Sequence, residues 1–421
     1  MAGRSLDDWL QWQESLNASE IDLGLDRITK VANRLDLQPP EGSVFIVAGT
    51  NGKGSCVWLL EQLLLAGGVR TGAYTSPHLL RYNERIRIDG VPVDDHVLVK
   101  AFERIEAARG EQALTYFEYG TLAALWIFSN TLCDAWLLEV GLGGRLDAVN
   151  IVEPNYSLIT TIALDHQVWL GNDVEQIARE KAGIMREATP AFFGDYPAPA
   201  AIGQRASELG SPLLCLRDAF DYSLEDTTWT WRGQHCEIEA LPWPPGRAEE
   251  QIRNLSLVLA VLERHDPALL ERRHLICELA ERFRLPGRFQ VVNGDRQWVL
   301  DVAHNPQAAS GLRHKLEALG PVPFTTAVVG LMADKPAADF ALDLSGQVDQ
   351  WITCTVDATR GRDGVDLARC LEEAGLGPVR SADTPESAFQ LACESTPPGS
   401  RILVCGSFYV VGPALEWLGL Y

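Results

Sequence analysis

Apolar and polar positions change period repeatedly along the chain. Residues 44–47 are a continuous apolar run of strand length, and beyond Asn51-Gly52 the apolar residues pass to helical spacing through Trp58, Leu59, Leu63 and Leu64. The stretch SVFIVAGTNGKGSCVWLLEQLLL therefore predicts a buried strand, a glycine-rich loop and a helix. Strands are also predicted over 71–74, in the run that ends at Glu139, and over 157–162. Helical spacing covers 94–109, 116–128, the segment NDVEQIAREKAGIM, 249–264 and 269–282. Residues 5–37 read as helices, with Ile21, Leu25, Ile28 and Val31 forming an apolar stripe that Gly24 interrupts. Residues 219–241, rich in Trp, Thr and Tyr with Gly233 at a turn, predict a β-hairpin.

Leu285-Pro286-Gly287 breaks the pattern, after which strands at 289–292, 298–302, 325–329, 350–355 and 401–405 alternate with helices at 307–319, 367–374 and 386–393. The expected fold class is α/β, with a P-loop-type, mostly parallel sheet and its helices in residues 1–284. A linker at 285–288 would lead to a smaller, Rossmann-like α/β domain at 289–421. A length of 421 residues, beyond one ordinary core, agrees with two domains. Strand ends rich in polar groups in both halves lead us to expect a cleft that closes on its ligand.

Composition narrows the function. Hydrophobic residues make up 46% of the chain, yet no apolar run is long enough to span a bilayer, and the N-terminus lacks a secretory signal, so a soluble cytosolic protein is expected. Nine cysteines without a C-x-x-C pair argue against a disulfide framework or a zinc ribbon. A formal charge of −21 disfavours nucleic acid and anionic membranes as partners. Any anion must then be held by locally concentrated positive charge.

The loop after the first strand offers such a place. Gly49, Gly52 and Gly54 permit close backbone approach, N–H groups converge at the positive end of the following helix, and Lys53 adds a cation. That combination suits a polyphosphate, with a tight β–α turn as the alternative. It departs from G-x-x-x-x-G-K-[ST]: only two residues separate Gly49 from Gly52, and Gly54 stands where a hydroxyl is usual, with Ser55 one step later. The metal-binding hydroxyl is therefore sought elsewhere. TSPHLLRYNERIRIDG, with Ser76, His78, Arg81, Glu84 and Arg85, reads as a polar loop at the carboxyl edge of the sheet, either a ligand loop or a solvated surface. Glu139, closing an apolar strand, needs a partner when buried, and Mg²⁺ would serve. Asp165 and His166 fall at the same edge, and Lys181 lies late in a helix, where a plain surface role is the alternative. Beyond the linker, Asp301, His304 and Asn305, then Asp334 and Lys335, end strands.

Taken in order, GTNGKGS (49–55), TSPHLLRYNERIRI (75–88), EVGLGGRLDAVN (139–150), LDH (164–166), REKAGI (179–184), PGRF (286–289) and DVAHNP (301–306) closely resemble the folylpolyglutamate synthase family, within the wider Mur-type amide ligases. The resemblance implies that Asn51, Gly52, Lys53, Gly54 and Ser55 form the ATP phosphate loop, with Asn254, Arg288 and Asp301 also contacting ATP. It implies Mg²⁺, two ions being expected, with Ser76, Glu139 and His166 as ligands. Lys181 stands where the family carries a lysine that can be carbamylated to N6-carboxylysine. The pterin site would draw on Ile21, Asp22, Leu23 and Arg27, on Thr115, Tyr116, Phe117 and Glu118, and on Leu146, Asp147 and Ala148. One departure is visible: Gln167 replaces a hydroxyl residue after LDH, which bears on the surroundings of the metal ligand and not on the ligand itself.

The implied activity is ATP-dependent ligation of L-glutamate to 7,8-dihydropteroate and to reduced folates, through an acyl phosphate. Lys53, Lys181 and His304 are the candidate catalytic residues, His304 as an aid to deprotonating the glutamate amine. A monomer acting on small molecules is expected. The alternatives are a monofunctional folylpolyglutamate synthase and a non-catalytic nucleotide-binding regulator.

Overall fold

The computed structural model describes residues 3–16, 22–283 and 285–421. The chain forms two compact units, one of Met1–Pro242 with Gln251–Ala280, the other of Trp243–Glu250 with Glu281–Tyr421.

The first unit is built on β1 (Ser43–Ala48), β2 (Thr71–Tyr74), β3 (Ile86–Ile88), β4 (Val91–Pro92), β5 (Ala135–Glu139), β6 (Tyr156–Ile159), β7 (Ala191–Phe193) and β8 (Leu213–Cys215). They lie in the order β4-β3-β2-β5-β1-β6-β7-β8. β2, β5, β1, β6, β7 and β8 run parallel, whereas β2–β3 and β3–β4 are antiparallel. Because β1 sits between β5 and β6, the loops that follow these three strands and β2 emerge together at one edge. The helix Lys53–Ala66 buries Val57, Leu59, Leu60, Leu63 and Leu64, and its fully buried Glu61 is neutralised by Arg87, 2.9 Å away. Helices Leu6–Glu14, Asp26–Leu35, Asp95–Arg109 and Tyr116–Thr131 pack together on this unit.

Two expectations are corrected here. The helix expected across Gly24 starts only at Asp26, because Arg27 draws the preceding segment aside with hydrogen bonds to the Asp22 carboxylate (2.5 Å) and the Asp22 carbonyl (2.6 Å). The expected hairpin at 219–241 is a three-stranded antiparallel sheet of β9 (Asp221–Leu224), β10 (Thr228–Arg232) and β11 (Glu237–Pro242) in the order β11-β10-β9. Trp229 and Trp231 anchor its central strand, both fully buried, with indole N–H groups donating to the carbonyls of Pro242 (2.9 Å) and Ser256 (3.2 Å).

The second unit contains β12 (Gln290–Val292), β13 (Gln297–Asp301), β14 (Thr325–Val329), β15 (Gln350–Cys354), β16 (Val379–Ala382) and β17 (Arg401–Cys405), ordered β12-β13-β17-β14-β15-β16. Only the β12–β13 pair is antiparallel. Its helices include Pro306–Leu319, Ala337–Leu344, Gly364–Glu373, Pro385–Ser395 and Phe408–Trp417. Among the described residues no helix is long and apolar enough to cross a membrane.

Candidate active site

In the first unit the site is assembled at the carboxyl edge of the parallel strands. The turn after β1 is held by the segment after β6. Thr50 N–H donates to the Thr161 carbonyl (2.7 Å), the Thr161 hydroxyl accepts from Asn51 N–H (3.2 Å), and the Thr160 hydroxyl donates to the Asn51 carbonyl (2.6 Å). Gly49 (φ +149°) and Gly52 (φ +91°) adopt backbone conformations that side chains rarely take. A Cβ at Gly49 would meet Thr160 Oγ1 at 1.8 Å, and one at Gly52 would meet Asn254 Oδ1 at 2.4 Å. Both glycines are thus demanded by geometry. Lys53 opens the helix and reaches back over the loop, with Nζ 3.0 Å from the Gly49 carbonyl and 3.3 Å from that of Thr50. Ser55 is buried in the first helical turn.

Gly54 faces the carboxylate at the end of β5: a Cβ there would lie in ordinary van der Waals contact, 3.5 Å from Glu139 Oε2. Ser76 N–H donates to the same Oε2 at 3.1 Å. The Ser76 loop is shaped by Glu84, whose carboxylate accepts from the N–H groups of Leu79 (2.7 Å), Leu80 (2.8 Å) and Arg81 (2.6 Å), and by Arg87, which bridges Glu61 and the Thr75 hydroxyl (3.1 Å). Thus Ser76, Glu139 and the phosphate loop come together.

The loop after β5 carries a second group into place. Gly144 packs against the last turn of the helix Val174–Ala182, where a Cβ would meet the carbonyls of Glu180 and Lys181 at 2.8 and 3.0 Å. Arg145 N–H donates to the Glu180 carbonyl at 2.8 Å. This brings Asp147 and Lys181, both buried, into one electrostatic neighbourhood with Lys53. Burial, with the like charge of Lys53, lowers the Lys181 ammonium to about 7 against the pull of Asp165 and Asp147. Burial likewise pushes the Asp147 carboxyl up to about 7, opposed by N–H donors from Leu142, Val149 and Gly141 and by Lys53. Asp165 is buried, its carboxylate accepting the His166 N–H at 2.8 Å. His166 takes a left-handed backbone (φ 50°) ahead of the short helix Gln167–Leu170, in which Gln167 is exposed.

The expected pterin residues are placed in part. Ile21 lies outside the described residues, and Leu23 is half-buried in the non-helical segment before Asp26. Arg27 joins Asp22 to Glu118, at 2.5 and 3.2 Å. Thr115 and Glu118, both buried, form a reciprocal capping box at the start of the helix Tyr116–Thr131, and burial raises the Glu118 carboxyl. The Phe117 ring closes on Gly141, where a Cβ would meet it at 2.5 Å, and Tyr116 stands edge-on to Tyr82. Leu146 is half-buried, and Asp147 caps the turn Ala148–Ile151. Asn254 is buried in the helix Glu249–His265.

In the second unit, the Arg288 guanidinium lies over the Phe408 ring at 5.1 Å. Asp301, at the end of β13, accepts the N–H groups of Phe289 (3.0 Å) and Ala303 (2.8 Å). His304 Nδ1 is 2.8 Å from the Val302 carbonyl, which fixes the ring and assigns the proton to Nδ1.

Thr160, Thr161, Glu61 and Lys315 carry no functional signal in the sequence, whereas Glu84 and Arg87 stand out there only as members of a polar loop. The hydroxyls in an apolar strand end carry no periodic signal, and the charged residues read as ordinary helix or loop polarity.

The donor set that the resemblance implies for a divalent ion is a hydroxyl, a buried carboxylate and an imidazole. Among the described residues no three or more His, Cys, Asp or Glu side chains form a ready metal cage. A buried carboxylate beside the phosphate loop nevertheless fits a hard cation that keeps water and phosphate oxygens as its other ligands.

A parallel sheet whose central strand runs into a glycine-rich loop, followed by a second α/β unit, is the architecture of a nucleotide-dependent enzyme, and similarity to known proteins makes it a Mur-type ligase. Residues 287–408 match the family described as Mur ligase, glutamate ligase domain. Over 99% of its length the chain is 40% identical to the dihydrofolate synthase/folylpolyglutamate synthase of Escherichia coli K12, covering 96% of that protein. Among solved structures, E. coli FolC in complex with DHPP and ADP is similar with a TM-score of 0.92 at 40% identity, covering 100% of this chain and 99% of that one. A bifunctional folylpolyglutamate synthase/dihydrofolate synthase with Mn, AMPPNP and L-glutamate bound is similar with a TM-score of 0.90 at 40% identity, covering 100% and 99%. The chain belongs to the dihydrofolate synthase/folylpolyglutamate synthase family, a branch of the ATP-dependent Mur-type ligases.

Proposed function

We propose that this chain joins L-glutamate to 7,8-dihydropteroate and to reduced folates, using ATP and a divalent metal. The observation that carries the reading is the full-length similarity to bifunctional enzymes, together with a phosphate loop that meets Glu139 and Ser76. A carboxylate is inert towards an amine because oxide is too poor a leaving group. Transfer of the γ-phosphoryl group to a carboxylate oxygen gives an acyl phosphate and ADP. The glutamate amine then attacks the acyl carbon, the C–O bond to phosphate breaks, and the amide and inorganic phosphate remain.

The residues divide this work. Asn51, Gly52, Lys53, Gly54 and Ser55 cradle the phosphates, where charge neutralisation and in-line placement lower the barrier. Ser76, Glu139 and His166 would hold Mg²⁺, which supplies positive charge at the phosphate oxygens. A carbamate on Lys181 would extend that set to a second ion. Asn254, Arg288 and Asp301 bind the rest of the nucleotide, while His304 helps to deprotonate the glutamate ammonium. Asp22, Leu23 and Arg27, with Thr115–Glu118 and Leu146–Ala148, bind the pterin. In this scheme residues 1–284 carry the phosphate loop and the pterin site, 285–288 link and supply Arg288, and 289–421 supply Asp301 and serve the glutamate step. The chain acts as a cytosolic monomer on small molecules, its net charge of −21 disfavouring nucleic acid and membrane partners.

The test is a substrate panel read by product mass. Dihydropteroate and a reduced folate should each gain glutamate with stoichiometric ADP release. Turnover of the folate alone would demonstrate a monofunctional enzyme, and no glutamate-dependent ATP turnover would overturn the proposal.

A further inference from the structure

Lys315 lies in the helix Pro306–Leu319 and is only 8% exposed. Its Nζ stands 3.0 Å from Asp301 Oδ2 and 3.0 Å from Glu250 Oε1, with the Phe289 ring centre 5.1 Å away. Burial alone would lower this ammonium, but the two carboxylates more than reverse the effect and hold it above the ordinary lysine range. The lysine is therefore charged and doubly paired.

What it holds matters more than the pairing. Asp301 Oδ2, the oxygen that Lys315 contacts, also accepts the Phe289 N–H, and Oδ1 accepts the Ala303 N–H. One carboxylate thus fixes two backbone segments, the first carrying Arg288 immediately before Phe289, the second carrying His304 immediately after Ala303. Lys315 settles which way that carboxylate faces. Without it, the buried Asp301 and the partly exposed Glu250 would lose their shared counterion, and Asp301 would be held by the Phe289 and Ala303 N–H groups alone. Of the groups assigned to the nucleotide, the lysine's ion pair is with Asp301.

We propose that Lys315 is a positioning residue for nucleotide binding: by clamping the Asp301 carboxylate it sets the Arg288 and His304 segments in the arrangement that accepts ATP. This rests on the reading that Asp301 and Arg288 contact the nucleotide. A purely structural ion pair would lower thermal stability and the amount of active protein while leaving the ATP KM unchanged.

The experiment measures KM for ATP and for dihydropteroate, kcat, ADP affinity by calorimetry, and thermal unfolding, for wild type, Lys315→Met, Lys315→Arg and Asp301→Asn. Lys315→Met is expected to raise the ATP KM and the ADP Kd by roughly tenfold or more, the range for losing a partner that orients a ligand-binding group. Its dihydropteroate KM should stay within about twofold, and Lys315→Arg, which keeps the charge, should restore most of the nucleotide affinity. A folded Lys315→Met protein with wild-type ATP KM and ADP Kd, beside an Asp301→Asn protein that binds nucleotide poorly, overturns the role of Lys315 alone. Unchanged nucleotide binding in Asp301→Asn overturns the nucleotide contact and this proposal with it. Should Lys315→Met not fold, the double variant Lys315→Met/Glu250→Gln removes the charge with one of its partners. A raised ATP KM in that protein supports the proposal, and a wild-type value refutes it.

Discussion

Lys181 should carry CO₂ as a carbamate. The amine must be unprotonated to attack CO₂; the new N–C bond then forms with release of one proton, and a cation becomes an anion. An ordinary lysine at 10.5 would present about one free amine in 3000 at pH 7, whereas lowering to about 7 leaves about half of the Lys181 amines free. The like charge of Lys53 that depresses the ammonium would attract a carbamate, against the repulsion of Asp165 and Asp147. Incubation with ¹³C-bicarbonate should give a carbamate resonance that is absent from Lys181→Ala, and at fixed dissolved CO₂ labelling should rise as the pH passes upward through about 7. Stripping CO₂ should lower turnover reversibly. A protein that takes up no label and works equally well without CO₂ would refute the argument, and would place Lys181 as an uncharged packing residue.

Three further outcomes follow from the site. Lys53→Ala removes the cation that arches over the Gly49 and Thr50 carbonyls and should lower kcat by roughly 100- to 1000-fold, measured by coupled ADP release; near-normal turnover would contradict the phosphate-loop assignment. Glu139→Gln keeps the shape but loses the charge, so the metal concentration for half-maximal activity should rise by roughly tenfold or more, and an unchanged titration would remove Glu139 from the ligand set. Gly52→Ala must hold a side chain at φ +91° against Asn254, costing roughly 1–2 kcal/mol in backbone strain before the clash, visible as a lower Tm and weaker ADP binding; a wild-type Tm would show that the loop has another accessible conformation.

How much of this was legible in the sequence depends on the physical kind of feature. β1 and the helix after it were readable because six strand residues and a long helix carry enough periodicity to declare themselves. β7 and β8, of three residues each, and the edge strand β16, half of it exposed, fall below that threshold; their partners across the sheet decide them. The same division holds in the site. Ser76, Glu139 and Lys53 stood out because a polar residue at the end of an apolar strand, or a lysine in a glycine loop, needs explanation locally. Lys315 did not, since a lysine on a helix is ordinary until Asp301 and Glu250 are found around it. Nor did Thr160 and Thr161, whose hydroxyls fix Asn51 from the segment after β6, far along the chain. Residues that face substrate thus announce themselves through local incongruity. Residues that hold those in place are ordinary in sequence, and their role exists only in the long-range pairing, which is why variants of Lys315 and the two threonines should separate binding geometry from chemistry more cleanly than variants of the phosphate loop itself.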